Sequence, residues 1–112
     1  MAALTATLVP TLGGVADIEG AAVAAAGGGD TAPVGPGHFL FVANGDASPH
    51  TATIATPGTV DGHPVADATL VVAAGEFGII PLTTLFRGST GLASITYDAV
   101  TSVTVAVFKL GA

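Results

Sequence analysis

From residue 38 onward the chain is cut into short apolar and β-branched stretches by Gly, Pro, Asn and Asp. A helix of ordinary length does not survive such punctuation, so these residues are confined to strands joined by turns. His38-Phe39-Leu40-Phe41-Val42-Ala43 is apolar on both faces, as a central strand is, and Asn44-Gly45-Asp46 supplies turn chemistry because Asn and Gly tolerate positive φ. Thr51-Ala52-Thr53-Ile54-Ala55-Thr56 is the next strand, closed by Pro57-Gly58. Residues 57–67 are rich in Pro, Gly and Asp and are predicted to form a loop. Leu70-Val71-Val72 follows, then a turn at Ala74-Gly75-Glu76, then a strand from Phe77 to Ile80 ended by Pro81. Gly88 and Gly91 bracket a further turn. Beyond it Ala93, Ile95 and Tyr97 share one face and Ser94 and Thr96 the other, and the stretch from Val103 to Phe108 alternates again. The pattern predicts an all-β domain over residues 38–112 with about six strands, an antiparallel β-sandwich or small barrel.

Residues 1–37 have a different composition, dominated by Ala, Gly and Pro. Leu4-Thr5-Ala6-Thr7-Leu8-Val9 reads as a strand ended by Pro10. Residues 15–26 allow a short helical turn, which Gly20 weakens. Gly27-Gly28-Gly29 reads as a flexible hinge, and Pro33 and Pro36 force an extended path after it. The expectation is an N-terminal arm or loop, 1–37, with little core of its own. Such a segment either lies on a neighbouring subunit or is a disordered tail.

At 112 residues there is material for one domain. Its surface is harder to account for. A folded chain of this mass exposes roughly 5,500 Å², yet only two cations and eight carboxylates are available to solvate it. Either neighbours cover part of that surface, or the domain is a neutral, Thr-rich soluble one. The net charge is −6, and Arg87 and Lys109 are the only Lys or Arg. Two cations cannot neutralise a nucleic-acid backbone or hold an anionic bilayer, so neither is expected as a partner. Without Cys there are no disulfides, thiolate metal sites or thiol nucleophiles. The stretch from Met1 to Leu12 has no cationic start and no long apolar run, so it does not read as a signal peptide. The apolar run 21–26 is too short to span a bilayer. Synthesis in the cytoplasm is expected.

The search for chemistry returns little. His38, His50 and His63 show no ligand spacing, and Asp61-Gly62-His63 with Asp67 is the only local donor cluster, in a stretch where Asp is expected for turn formation. Asp17, Glu19, Asp46 and Asp98 form no acid/base pattern. Ser48-Pro49-His50 places a hydroxyl near an imidazole in sequence only, and Ser89 and Ser94 lack a nucleophile-elbow context. No metal, cofactor or enzymatic activity is expected. Arg87, following Pro81-Leu82-Thr83-Thr84-Leu85-Phe86, is either an interface anchor or a solubilising loop charge. Leu4, Leu8, Phe39, Phe86, Arg87 and Lys109 are the candidate interface residues.

Gly28-Gly29-Asp30-Thr31, Phe41-Val42-Ala43-Asn44-Gly45, Thr56-Pro57-Gly58-Thr59-Val60-Asp61-Gly62, Val72-Ala73-Ala74-Gly75-Glu76 and the closing run from Ile95 to Val107 resemble small head-morphogenesis proteins of tailed bacteriophages and related prophages, particularly of actinobacteria. The pattern runs over roughly residues 28–110 and departs at Ala32-Pro33-Val34-Gly35-Pro36-Gly37, where an aromatic and a more polar turn would be expected. The resemblance implies a virion protein, either a capsid decoration (cement) or a minor capsid protein. Its partner would be the major capsid protein, which it would bind as a dimer or trimer on the outside of the head. Two alternatives stand beside it. One is a head–tail joining protein; the other is a host- or carbohydrate-binding β-sandwich module on an appendage. The lack of Trp and the single Tyr weaken the carbohydrate reading.

Overall fold

The computed structural model describes residues 2–10, 12–64, 66–88 and 90–110. Twelve strands and two short 3-10 turns, Glu19–Ala21 and Thr84–Phe86, make up the regular structure, and no α-helix occurs among the described residues. The strands are β1 (Ala2–Ala3), β2 (Ala6–Val9), β3 (Val23–Ala24), β4 (Asp30–Ala32), β5 (His38–Asn44), β6 (His50–Ile54), β7 (Thr59–Val60), β8 (His63–Pro64), β9 (Ala68–Val72), β10 (Phe77–Pro81), β11 (Ala93–Tyr97) and β12 (Val103–Leu110). One sheet runs β1-β4-β11-β6-β9, the other β10-β5-β12-β2 with β3 on β12. The fold is all-β, two sheets packed face to face.

Alternation along each strand builds the layer between the sheets. Leu40, Val42, Val103, Val105 and Val107 project from the β5/β12 sheet. They meet Ala32, Ala52, Ile54, Val72, Ala93 and Ile95 from the other sheet. Leu82 and Phe86 close one end of this core. Small side chains face large ones, which lets two sheets interdigitate at ordinary sandwich spacing.

Residues 57–67, predicted as a loop, contain a miniature hairpin, β7–β8, whose Asp61 and Gly62 both hold positive φ (52° and 80°). That is the backbone a two-residue type I′ turn demands, and Asp-Gly is a preferred sequence for it.

The N-terminal stretch departs most from expectation. Instead of one strand over residues 4–9, the chain pairs β1 with β4, leaves that sheet at Leu4 and Thr5, and pairs β2 with β12. Both pairs are parallel, so the sheets are not purely antiparallel. Strands far apart in sequence need no hairpin and can take either direction.

Parts of residues 23–34, expected to be arm, join the sheets and the core, while Val23 stays 52% exposed. β3 pairs β12, and β4 lies between β1 and β11. Ala25, Ala32 and Val34 join the main hydrophobic cluster, and Asp30 is fully buried. Ala and Gly here serve close approach between backbones. Gly29 is buried at φ +94°, and a Cβ there would stand 2.7 Å from the Ile95 carbonyl oxygen. The triple-Gly stretch is therefore a tight fit at its third residue, not a hinge. Among the described residues of 1–37, the longest stretch outside the strands is 12–22, with Leu12 90% exposed.

Candidate interaction face

The two outer faces of the sandwich differ sharply. The outward positions on the β6/β9/β11 side are Thr51, Thr53, Thr69, Val71, Ser94 and Thr96, a largely hydroxyl-bearing surface. The outward positions on the other sheet are Phe39, Phe41 and Ala43 of β5, Phe77, Ile79 and Pro81 of β10, and Thr104, Ala106, Phe108 and Leu110 of β12. No charged residue occupies any of these positions. Four of the five phenylalanines lie here.

Cross-strand pairing explains the cluster. The register places Phe39 opposite Phe108 and Phe41 opposite Ala106, while Ile79 is opposite Phe41. Opposed positions share a face, so the rings meet. Phe39 and Phe108 have centroids 5.5 Å apart, Phe41 and Phe77 5.7 Å, and Phe41 and Phe108 pack edge-on at 6.4 Å. Val9, Val15, Ala21 and Ala22 cover the middle of this second cluster. Phe108 is only 1% exposed under that cover, whereas Phe77 is 59% and Ile79 63% exposed. Beside them lies an open trough of about 650 Å³ bounded by Gly35, Phe39, Ile79, Pro81, Thr84 and Leu110.

Of the sequence candidates, Phe39 belongs to this face, half-buried. Leu8 is exposed on β2, which forms the far edge of the same sheet. Leu4 packs against the inner core. Phe86 is 7% exposed and fills the core end beside Leu82, so it does not stand at the surface; its 3-10 turn rolls the ring inward. Arg87 and Lys109 are both exposed, but Lys109 alternates away from the Phe108 face. The sequence marks Phe77 and Ile79 as strand and not as surface. Their i, i+2 spacing beside an equally apolar Ile80 concealed which face was outward.

The other polar cluster lies between strand ends. His50 is buried at the start of β6, with Nε2 2.8 Å from Asp46 Oδ2 and Nδ1 3.3 Å from Asp98 Oδ1. Both ring nitrogens can donate only in the imidazolium, and the hydrogen bond with Asp46 is the chief reason the His50 pKa is raised. Asp46 is held below its ordinary value first by that same bond, and Asp98 first by the Thr51 amide it accepts. With both nitrogens engaged, the ring has no free position from which to activate Ser48. Nearby, Asn44 is fully buried; its amide donates to the carbonyls of Ser48 at 2.8 Å and Val72 at 3.0 Å and its oxygen accepts from the Asp46 amide. Asn44 thereby clamps the loops at Ser48 and Val72.

Among the described residues no three His, Cys, Asp or Glu are grouped to hold a metal, and Asp61, His63 and Asp67 stand exposed in the β7–β8 region. Ser94 faces outward on β11, and Ser89 lies outside the described residues. No helix among the described residues is long and apolar enough to cross a membrane. No family model, curated protein or solved structure matches this chain.

Proposed function

We propose that this protein is a structural component of a virus particle, a capsid decoration or minor capsid protein that binds the outside of a phage head and stabilises contacts between major capsid subunits. The supporting observation is the part of the uncharged outer face that the N-terminal segment leaves open, Phe77, Ile79, Pro81 and Leu110 beside half-buried Phe39. On an isolated soluble domain, exposed apolar side chains scatter singly; an apolar patch of Phe77, Ile79 and Leu110 beside an open trough marks a contact surface. The hydroxyl-rich opposite face provides a solvated exterior without charge. In this reading the exposed stretch around Leu12 and Ile18 is the part of the N-terminal segment that reaches a neighbouring subunit. The carbohydrate-binding reading gains nothing from the structure, since the aromatic rings pack on one another within a sheet rather than standing apart around polar groups.

Quantitative mass spectrometry of purified particles tests the reading. A copy number comparable with that of the shell subunit is expected. A handful of copies per particle, or absence from mature heads, overturns it.

A further inference from the structure

We propose that β10 is a self-pairing edge: two copies of the chain join by antiparallel β10–β10 hydrogen bonding about a two-fold axis at Ile79, and Phe77 of each copy enters the trough of the other. This deepens the assembly reading only by naming a second copy as the occupant of one edge, and its test needs no capsid.

The backbone supplies the first half of the argument. Among the described residues β10 ends its sheet and pairs on one side only, with β5. Flanking bonds run from the Asn44 amide to the Glu76 carbonyl and from the Leu82 amide to the His38 carbonyl. Antiparallel ladders alternate, so Glu76, Gly78, Ile80 and Leu82 face β5, while Phe77, Ile79 and Pro81 direct their polar backbone groups to the open edge. Natural edges are blunted by charges, bulges or Pro. β10 carries no charge, and its one such device is Pro81 at the very end.

The side chains supply the second half. A two-fold at Ile79 sets Ile79 opposite the partner's Ile79 and Phe77 opposite the partner's Pro81. Each Ile79 amide then donates to the partner's Ile79 carbonyl, and each Phe77 amide donates to the partner's Pro81 carbonyl. Pro81 itself has no N–H to lose. The exposed knob, Phe77, lies two residues before Ile79; the trough wall, Pro81, lies two residues after it. That symmetric placement is what an isologous contact requires, and a foreign strand would need only one of the two features. Charge agrees as well. Glu76 falls opposite the partner's Leu82, so no carboxylates oppose one another along the ladder although each chain carries −6. The aromatic row from Phe108 through Phe41 to Phe77 becomes continuous across the axis.

The chain has no Cys, so single-cysteine variants report the geometry cleanly. Opposed Ile79 Cα atoms would lie about 5.5 Å apart, within the usual disulfide range of about 4.4–6.8 Å. Under mild oxidation Ile79→Cys is expected to form a covalent dimer rapidly, whereas Phe77→Cys, displaced from its own copy, and Leu12→Cys form it slowly. Light scattering on the unmodified protein at about 100 μM is expected to give a dimer, with I79K at least roughly tenfold weaker in self-association. Both side chains are exposed, so the fold survives either change. A monomeric unmodified protein, or equal crosslinking at residues 77 and 79, overturns the inference; neither result bears on the copy number in particles.

Discussion

The Tyr97 hydroxyl donates a 2.7 Å hydrogen bond to the fully buried Asp30 carboxylate, tying the end of β11 to the start of β4. Asp30 Oδ2 also lies 3.4 Å from the Ala26 amide, so one carboxylate oxygen organises the approach to β4. This contact secures the segment 23–34 that the composition marked as arm.

Tyr97→Phe removes the donor and leaves a buried carboxylate less satisfied. A loss of about 1–3 kcal/mol is expected, measured by urea denaturation. A change indistinguishable from zero would show that Asp30 draws its support elsewhere.

Burial, then the hydrogen bond to Asp30, pushes the Tyr97 pKa well above its ordinary 10.0. A raised folded pKa favours the protonated form in the fold. Its contribution is therefore intact below about pH 10 and is lost as pH rises further and the unfolded tyrosine ionises. Tyr97 is the only tyrosine, and there is no Trp, so phenolate absorbance follows this group alone. The phenolate signal is expected to appear together with unfolding rather than as a separate titration near pH 10.

Much of the strand pattern from His38 onward was legible because turns announce themselves chemically. Gly45, Pro57-Gly58, Gly75 and Gly91 all fall between strands, and apart from the unexpected β7 and β8 each strand lies within a few residues of its expected span. The N-terminal strands were not legible. β3 and β4 are two and three residues long, and their Ala-rich composition has no strong strand preference. They are strands because β11 and β12 offer edges that small side chains can approach closely. The outward face was hidden for a different reason. A strand apolar on both sides has the same sequence whether a second layer or a partner covers it.

Gly29→Ala and Gly27→Ala separate the two meanings of glycine in one motif. At Gly29 the positive φ and the Ile95 carbonyl oppose a side chain, and a loss of about 2 kcal/mol or more is expected. At Gly27 nothing lies within 4 Å of a built Cβ, so little change is expected. Thermal melts of the pair decide the matter; equal sensitivity would contradict the close approach of β4 to β11.

The His50 clamp sets a pH window. Its raised pKa means a contribution present below about pH 6.5 and lost as pH rises through the folded value. The lowered values of Asp46 and Asp98 mean contributions present above about pH 3.8 and lost as pH falls through theirs. The clamp is complete between these limits, so stability is expected to peak on the acidic side of neutrality. His50→Gln should flatten the neutral-side decline and leave the Tyr97-linked alkaline loss in place. An unchanged profile would remove His50 as its source.

Phe108 and Phe77 belong to one aromatic cluster but answer to different constraints. Phe108 sits beneath Val9 and Val15 and against Phe39 and Phe41. Phe108→Ala opens a cavity that neighbours on a rigid sheet cannot fill, and a cost of about 3–5 kcal/mol is expected. Phe77 packs against Phe41 but is 59% exposed. Phe77→Ala is therefore expected to lower the stability of the monomer little while reducing dye binding to exposed apolar surface and weakening self-association. If Phe77→Ala destabilised the isolated monomer as much as Phe108→Ala, its ring would be part of the core and the outer face would not be a contact surface.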